Sequence, residues 1–222
     1  MMTFSSPDES LARLRAIRIV PVIVIDDPDD AVPLARALAD GGLPCAEITF
    51  RTPRAGEALR RITAEAPDLF VGAGTVLTPE QAGQARSAGA QFMVAPGFNP
   101  RVVDYCLGHG IPVYPGICTP TELEAALEKG LTTVKFFPAE PSGGLAFLKA
   151  MAAPYGDVSF MPTGGVHANN VSAYLGFNRV VACGGSWMAP SEWIAAQEFD
   201  RVRGESRRAS DIAHGRQPAV TV

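Results

Sequence analysis

The chain has 222 residues, 47% of them hydrophobic and 19% charged, enough to bury one sizeable core. A formal net charge of −4 lacks the basic footprint that contact with a phosphate backbone requires, which excludes general nucleic-acid binding. Four cysteines without CxxC spacing (Cys45, Cys106, Cys118, Cys183) and three scattered histidines (His109, His167, His214) argue against a disulfide framework, a structural zinc site and a catalytic transition metal, and place the chain in a reducing cytoplasm.

Residues 1–18 carry mixed charges and read as an N-terminal helix. The first apolar run, Ile19 to Ile25, is too short to cross a bilayer and ends in Asp26-Asp27, so it reads as a strand and not as a signal peptide or membrane helix. Seven more strand-like runs follow: Cys45 to Phe50, Leu69 to Val76, Phe92 to Pro96, Ile111 to Ile117, Thr133 to Pro138, Ser159 to Thr163 and Val180 to Cys183. Between them lie helical stretches at Asp29 to Asp40, Arg54 to Ala66, Pro79 to Ala88, Pro100 to Gly108, Pro120 to Lys129, Leu145 to Ala153 and Ala168 to Leu175. Thr78-Pro79 and Thr119-Pro120 each set an N-cap before a proline, with Gln81 and Glu122 three residues after the cap. Gly41, Gly89, Gly110 and Gly130 stand where helices end. Eight alternations of apolar strand and helix predict an α/β fold, a single-domain (β/α)8 TIM barrel spanning residues 1–222 with an N-terminal helix. From about residue 204 the composition is that of a last helix and then a frayed tail.

In such a barrel the site belongs at the C-terminal ends of the strands. Lys135, one of three lysines, interrupts the apolar run Thr132 to Pro138. Strand alternation turns Thr133, Lys135 and Phe137 one way and Val134 and Phe136 toward the helices. Burial disfavours the charged form of an amine and leaves the neutral nucleophile that attacks a carbonyl. Glu47 is the only carboxylate of its strand and shares a face with Thr49 and Arg51. Facing Lys135, it suits a proton shuttle and equally a structural ion pair. Arg51 suits bidentate capture of a carboxylate; Thr75 and Thr163 end their strands. The turns Thr163-Gly164-Gly165 and Gly184-Gly185-Ser186 follow the seventh and eighth strands, where barrels commonly bind phosphate with backbone N–H groups. No GxGxxG follows a strand, so no dinucleotide cofactor is indicated.

These residues resemble one family. Pro21-Val22-Ile23-Val24, Glu47-Ile48-Thr49-Phe50-Arg51-Thr52, Val71 to Leu77, Pro115-Gly116-Ile117, Val134-Lys135-Phe136-Phe137-Pro138-Ala139-Glu140, Pro162 to Gly165 and Gly184-Gly185-Ser186-Trp187 are similar, in order, to the 2-keto-3-deoxy-6-phosphogluconate (KDPG) and 4-hydroxy-2-oxoglutarate aldolases, class I pyruvate lyases of the Entner–Doudoroff route. The resemblance implies a homotrimer with no metal or other cofactor, acting on a phosphorylated keto acid and engaging neither nucleic acid nor membrane. It implies that Lys135 forms the Schiff base and that Glu47 is the acid/base. Arg51 and Thr75 would hold the pyruvyl carboxylate and its neighbouring oxygens. Gly164, Gly165, Gly185 and Ser186 would take the phosphate, and Thr163 would lie near the substrate. Cys118-Thr119 departs from the Ser-Thr of close relatives. The presence of Arg51 and Thr163 favours the gluconate substrate over its galactonate epimer. A phosphosugar isomerase or epimerase and a noncatalytic phosphometabolite-binding barrel are the alternatives from other classes; neither requires a covalent imine.

Overall fold

The computed structural model describes residues 6–216. It opens with α1 (Pro7–Ile17), started by a capping box in which the Ser6 hydroxyl accepts from Glu9 N while the Glu9 carboxylate accepts from Ser6 N. Nine short parallel strands follow, joined by helix-bearing crossovers except between β5 and β6, where only Pro115 intervenes: β1 (Ile19–Ile23), β2 (Cys45–Thr49), β3 (Phe70–Gly74), β4 (Met93–Val94), β5 (Val113–Tyr114), β6 (Gly116–Ile117), β7 (Thr133–Phe136), β8 (Ser159–Pro162) and β9 (Cys183–Gly185). The main helices between and after them are α2 (Ala31–Asp40), α3 (Ala55–Glu65), α4 (Pro79–Ser87), α5 (Pro100–Gly108), α6 (Pro120–Glu128), α7 (Gly144–Ala152), α8 (Val171–Leu175), α9 (Ser191–Ala195) and α10 (Phe199–Ala213).

The strands pair in two parallel ladders, β5-β4-β3-β2-β1-β9 and β6-β7-β8. The ladders meet at two places. One is the run from 113 to 117, whose halves serve different ladders because Pro115 sits between them without an N–H to give. At the other, single parallel bridges join Phe160 to Val180 and Thr163 to Gly184. The result is an α/β fold with a curled parallel sheet. Eight continuous strands were expected; the ladder instead breaks at Pro115, and the last strand lies on Cys183–Gly185, leaving Val180 with a single bridge.

Capping explains the helix boundaries. Thr119 and Glu122 form a reciprocal box at α6, whereas at α4 the Gln81 side chain reaches past the cap to Leu77 N (2.7 Å). The stretch expected to start at Asp29 begins with a 3-10 turn, Pro28–Asp30, and becomes α-helical at Ala31. Of the four glycines expected to end helices, Gly41 keeps a right-handed φ of −76°, and the left-handed residue is Gly42, φ +83°. Gly41 serves close approach instead: a Cβ there would lie 2.5 Å from Ser206 Cβ on α10. The last helix starts at Phe199, ahead of the expected boundary, and the frayed tail expected beyond it extends past the described residues. The short α9 had no counterpart in the sequence reading.

One side of the sheet packs on helices. Val134 and Phe136 are fully buried, and the Phe136 ring stacks on Phe147 of α7 at 6.0 Å between centroids. On the other side, Phe70, Phe92 and Tyr114 pack ring against ring in sequence, the first pair tilted and the second edge to face, with centroids 4.7 and 6.2 Å apart. Each such ring, fully buried, contributes roughly 1.5–3 kcal/mol. Helix α1 closes this end: Arg13 lies over the Phe70 ring at 4.3 Å, and Ser10 Oγ is 2.8 Å from Tyr114 OH.

Candidate active site

Lys135 is the third residue of β7 and Glu47 the third of β2; Lys135 is in register with Gly116 and Met161, and Glu47 with Val22 and Gly72. Alternation sends both side chains inward, and Lys135 Nζ donates to Glu47 Oε1 at 3.3 Å. The two side chains are 6% and 1% exposed, so water offers almost no screening and each charge is balanced chiefly by the other. Space for the carboxylate comes from a missing side chain: a Cβ at Gly74 would lie 2.1 Å from Glu47 Oε1. The second oxygen, Glu47 Oε2, is buried with no hydrogen-bond partner among the described residues. Lys135 Nζ also stands 5.2 Å from the centroid of the Phe137 ring, within cation–π range.

Arg51 and Thr75 come together one turn above. Arg51 Nε donates to Thr75 Oγ1 at 3.4 Å, leaving the rest of an exposed guanidinium for a ligand. Thr75 holds a φ of +55°, left-handed for a β-branched residue, a strain of about 1–3 kcal/mol that marks a functional position more often than a structural one. Thr49, on the face of Glu47, donates instead to Ile23 O at 2.7 Å and locks β2 to β1. Thr163 is buried, its hydroxyl 3.4 Å from Met161 O.

A cavity of about 280 Å³ adjoins these groups, lined by Arg51, Phe137, Thr163, Gly164, Gly165, Gly185 and Ser186 among others. Seven residues that the sequence singled out or paired with the lysine thus share one hollow. Lys135, Glu47 and Thr75 are not on its lining, but each is next to a residue that is: Lys135 Nζ lies near the Phe137 ring and bonds Glu47, and Thr75 accepts from Arg51. The sequence missed Val22, Val24 and Glu192 on the cavity wall; Val22 was legible in principle, since it stands opposite Glu47 in register. A larger hollow, about 860 Å³, opens between α3, α4 and α5 and shares Arg51, but it has neither glycine turn nor the Phe137 ring that lies beside the amine. The chemistry therefore favours the smaller one.

The thiols take no obvious part. Burial pushes Cys106 up to about 12 and Cys45 and Cys183 higher still, so all three stay protonated. Cys118 is half-buried, its Sγ 3.1 Å from Ser142 Oγ.

A sequence model of the KDPG and KHG aldolase family matches residues 11–204. The chain is 55% identical over 199 residues to the 2-dehydro-3-deoxy-phosphogluconate aldolase of Treponema pallidum, covering 90% of this chain and 95% of the relative. It is 46% identical over 202 residues to the enzyme of the same name from Haemophilus influenzae, with 91% and 95% covered. Among solved structures it is similar to the KDPG aldolase of Legionella pneumophila, in which pyruvate was captured at low pH as a covalent carbinolamine intermediate. That likeness has a TM-score of 0.87 at 37% identity and covers 91% of this chain and 97% of the other.

Proposed function

The chain belongs to the KDPG and KHG aldolase family, and from that premise we propose how its residues carry out the reaction. It is a lyase, a class I aldolase that cleaves 2-keto-3-deoxy-6-phosphogluconate to pyruvate and glyceraldehyde 3-phosphate. The observation that carries the assignment of roles is the buried pair of Lys135 Nζ and Glu47 Oε1, 3.3 Å apart beside a cavity edged by two glycine turns.

Lys135 passes a proton to Glu47 and attacks the C2 ketone as the free amine, and Glu47 returns that proton as the carbinolamine forms and loses water. The resulting iminium is an electron sink. Glu47 then takes the C4 hydroxyl proton, the C3–C4 bond breaks, its electron pair passes into the iminium to give an enamine, and glyceraldehyde 3-phosphate leaves. Protonation of the enamine at C3 and hydrolysis of the imine release pyruvate and restore the amine. The unpartnered Glu47 Oε2 supplies an acceptor for this proton traffic without first breaking the bond to lysine. Arg51 and Thr75 hold the carboxylate end, Thr163 flanks the chain of the substrate, and Gly164, Gly165, Gly185 and Ser186 receive the phosphate. Arg51 and Thr163 favour the gluconate over the galactonate substrate; 4-hydroxy-2-oxoglutarate, cleaved to pyruvate and glyoxylate, uses the same amine with the phosphate turns idle.

The curled sheet is read as a closed (β/α)8 barrel forming one domain, supported by the bridges Phe160 to Val180 and Thr163 to Gly184. Among the described residues no helix is long and apolar enough to cross a membrane. A cytoplasmic homotrimer fits this reading and the resemblance of the sequence.

Borohydride reduction in the presence of pyruvate, followed by peptide mass spectrometry, tests it. The expected result is one pyruvate-derived adduct on the peptide bearing Lys135, absent from a folded Lys135→Ala variant. An unmodified Lys135 at saturating pyruvate, or an adduct on Lys129 or Lys149, overturns the assignment.

A further inference from the structure

The turn after β8 is held from behind by three hydrogen bonds to three consecutive carbonyls. Thr163 O accepts from Ala139 N at 2.8 Å, Gly164 O accepts from Glu140 N at 3.0 Å, and Gly165 O accepts from the Asn170 side-chain Nδ2 at 3.0 Å. With the carbonyls fixed on that side, the N–H groups of Gly164, Gly165 and Val166 donate to no acceptor among the described residues, and all three residues line the 280 Å³ cavity. Gly164 at φ +97° and Gly165 at +79° hold left-handed backbone, which glycine adopts without strain.

The two backbone anchors come from the chain just after β7, which the lysine strand fixes. The third is a lone side chain. Asn170 is itself oriented, because its Oδ1 accepts from His167 N at 2.8 Å, which leaves Nδ2 aimed at Gly165 O. Glu140 backs the same turn: a Cβ at Gly165 would lie 2.6 Å from Glu140 Cβ, and the Glu140 carboxylate is held by the buried Tyr174 hydroxyl.

We propose that Asn170 is a positioning residue for the phosphate end of the substrate: by holding the Gly165 carbonyl outward it keeps the Val166 N–H, which shares that peptide plane, turned into the cavity. This rests on the aldolase reading for the identity of the substrate, but not for the binding of an anion. Without Asn170 the Gly165–Val166 peptide is free to rotate, and its carbonyl oxygen then faces the anion where an N–H should be. Phosphate binding weakens while imine formation at Lys135, on another strand, does not.

Two variants test this. Asn170→Ala removes both bonds without adding charge and is the deciding variant; Asn170→Asp keeps the acceptor for His167 N, replaces the donor to Gly165 O with a carboxylate oxygen and adds a negative charge, so its loss must be at least as large. Both are expected to raise KM for 2-keto-3-deoxy-6-phosphogluconate by about tenfold or more, as the loss of one well-placed hydrogen bond to a charged group implies. The preference for that substrate over unphosphorylated 4-hydroxy-2-oxoglutarate, expressed as a ratio of kcat/KM, falls by the same factor, and the Kd of inorganic phosphate measured by calorimetry on the full chain rises with it. Equal losses on both substrates, or an unchanged preference, overturn the proposal and leave Asn170 as the start of α8 only. Phosphate affinity that does not respond to Asn170→Ala, or is absent in the unaltered chain, overturns it too. If the unaltered chain binds phosphate through Asn170 yet cleaves neither keto acid, the aldolase reading fails and the positioning role stands.

Discussion

The two ends of the substrate cavity are made of different material. At one end an amine and a carboxylate meet across the sheet at 3.3 Å, both side chains, both buried. At the other, glycines present backbone N–H groups, and the side chains that matter, Asn170, Glu140 and Tyr174, stand behind them and face away. A side-chain site is set by strand register, because a strand shifted by one residue would put Lys135 on the helix side. A backbone site is set by peptide orientation, which no single residue owns. The first concentrates its chemistry in two positions and the second spreads it over a supporting ring.

If that contrast is right, damage at the amine end lowers turnover regardless of phosphate. Glu47→Gln keeps the shape and loses the base, and kcat is expected to fall by roughly 10²–10⁴ on both phosphorylated and unphosphorylated substrates, measured by coupled pyruvate release. A loss confined to the phosphorylated substrate would break the division between the ends. Gly74→Ala is expected to act in the same direction more weakly, by about 10-fold to 100-fold, because the new methyl meets the Glu47 carboxylate and pushes it from Lys135. Here the position of the inflection in the pH–rate profile is the reading that matters: a displaced base moves it, whereas simple loss of folded protein does not.

A control lies at the far end, under α1. Tyr114→Phe leaves Ser10 Oγ buried without its partner and is expected to cost about 1–3 kcal/mol of stability, with kcat/KM per folded molecule unchanged. Burial pushes the Tyr114 hydroxyl up to about 12. The unfolded chain gives up that proton first, near the ordinary value of about 10, so the stability the phenol contributes is full below that pH and drains away as pH climbs toward 12. Chemical denaturation at pH 8 and pH 11 should therefore show the gap between Tyr114→Phe and the unaltered chain narrowing. A constant gap would place the phenol in contact with solvent.

The same contrast explains what could be read from the residues in order. Lys135 announces itself because an ammonium in an apolar strand is costly, and the period of two aims it; Glu47 follows as the only acid on its strand. The glycine turns are visible as doublets after strands, but Asn170 is not. It is one polar residue among His167, Ala168, Asn169 and Val171, and nothing in its spacing separates a helix start from a brace. Strand limits were hidden for a similar reason. An apolar run such as Val180 to Cys183 looks like a strand, yet the ladder uses Gly184 and Gly185, whose pairing with Val20 and Pro21 depends on backbone geometry and not on side chains. The split at Pro115 was predictable from its missing N–H, although the assignment of its two flanks to different ladders was not.

The lysine and the acid that meet in the core are 88 positions apart in the chain. Neither half of the polypeptide therefore carries a working centre, and a growing chain has no competent amine–acid pair until β2 and β7 have both found their places in the sheet. Regain of turnover after dilution from denaturant then counts only molecules in which this long-range closure is finished, so it trails any signal that follows helix formation alone. A proteolytic nick anywhere between the two strands leaves activity hostage to noncovalent association of the pieces, which makes catalysis a sensitive gauge of whether the fold is whole.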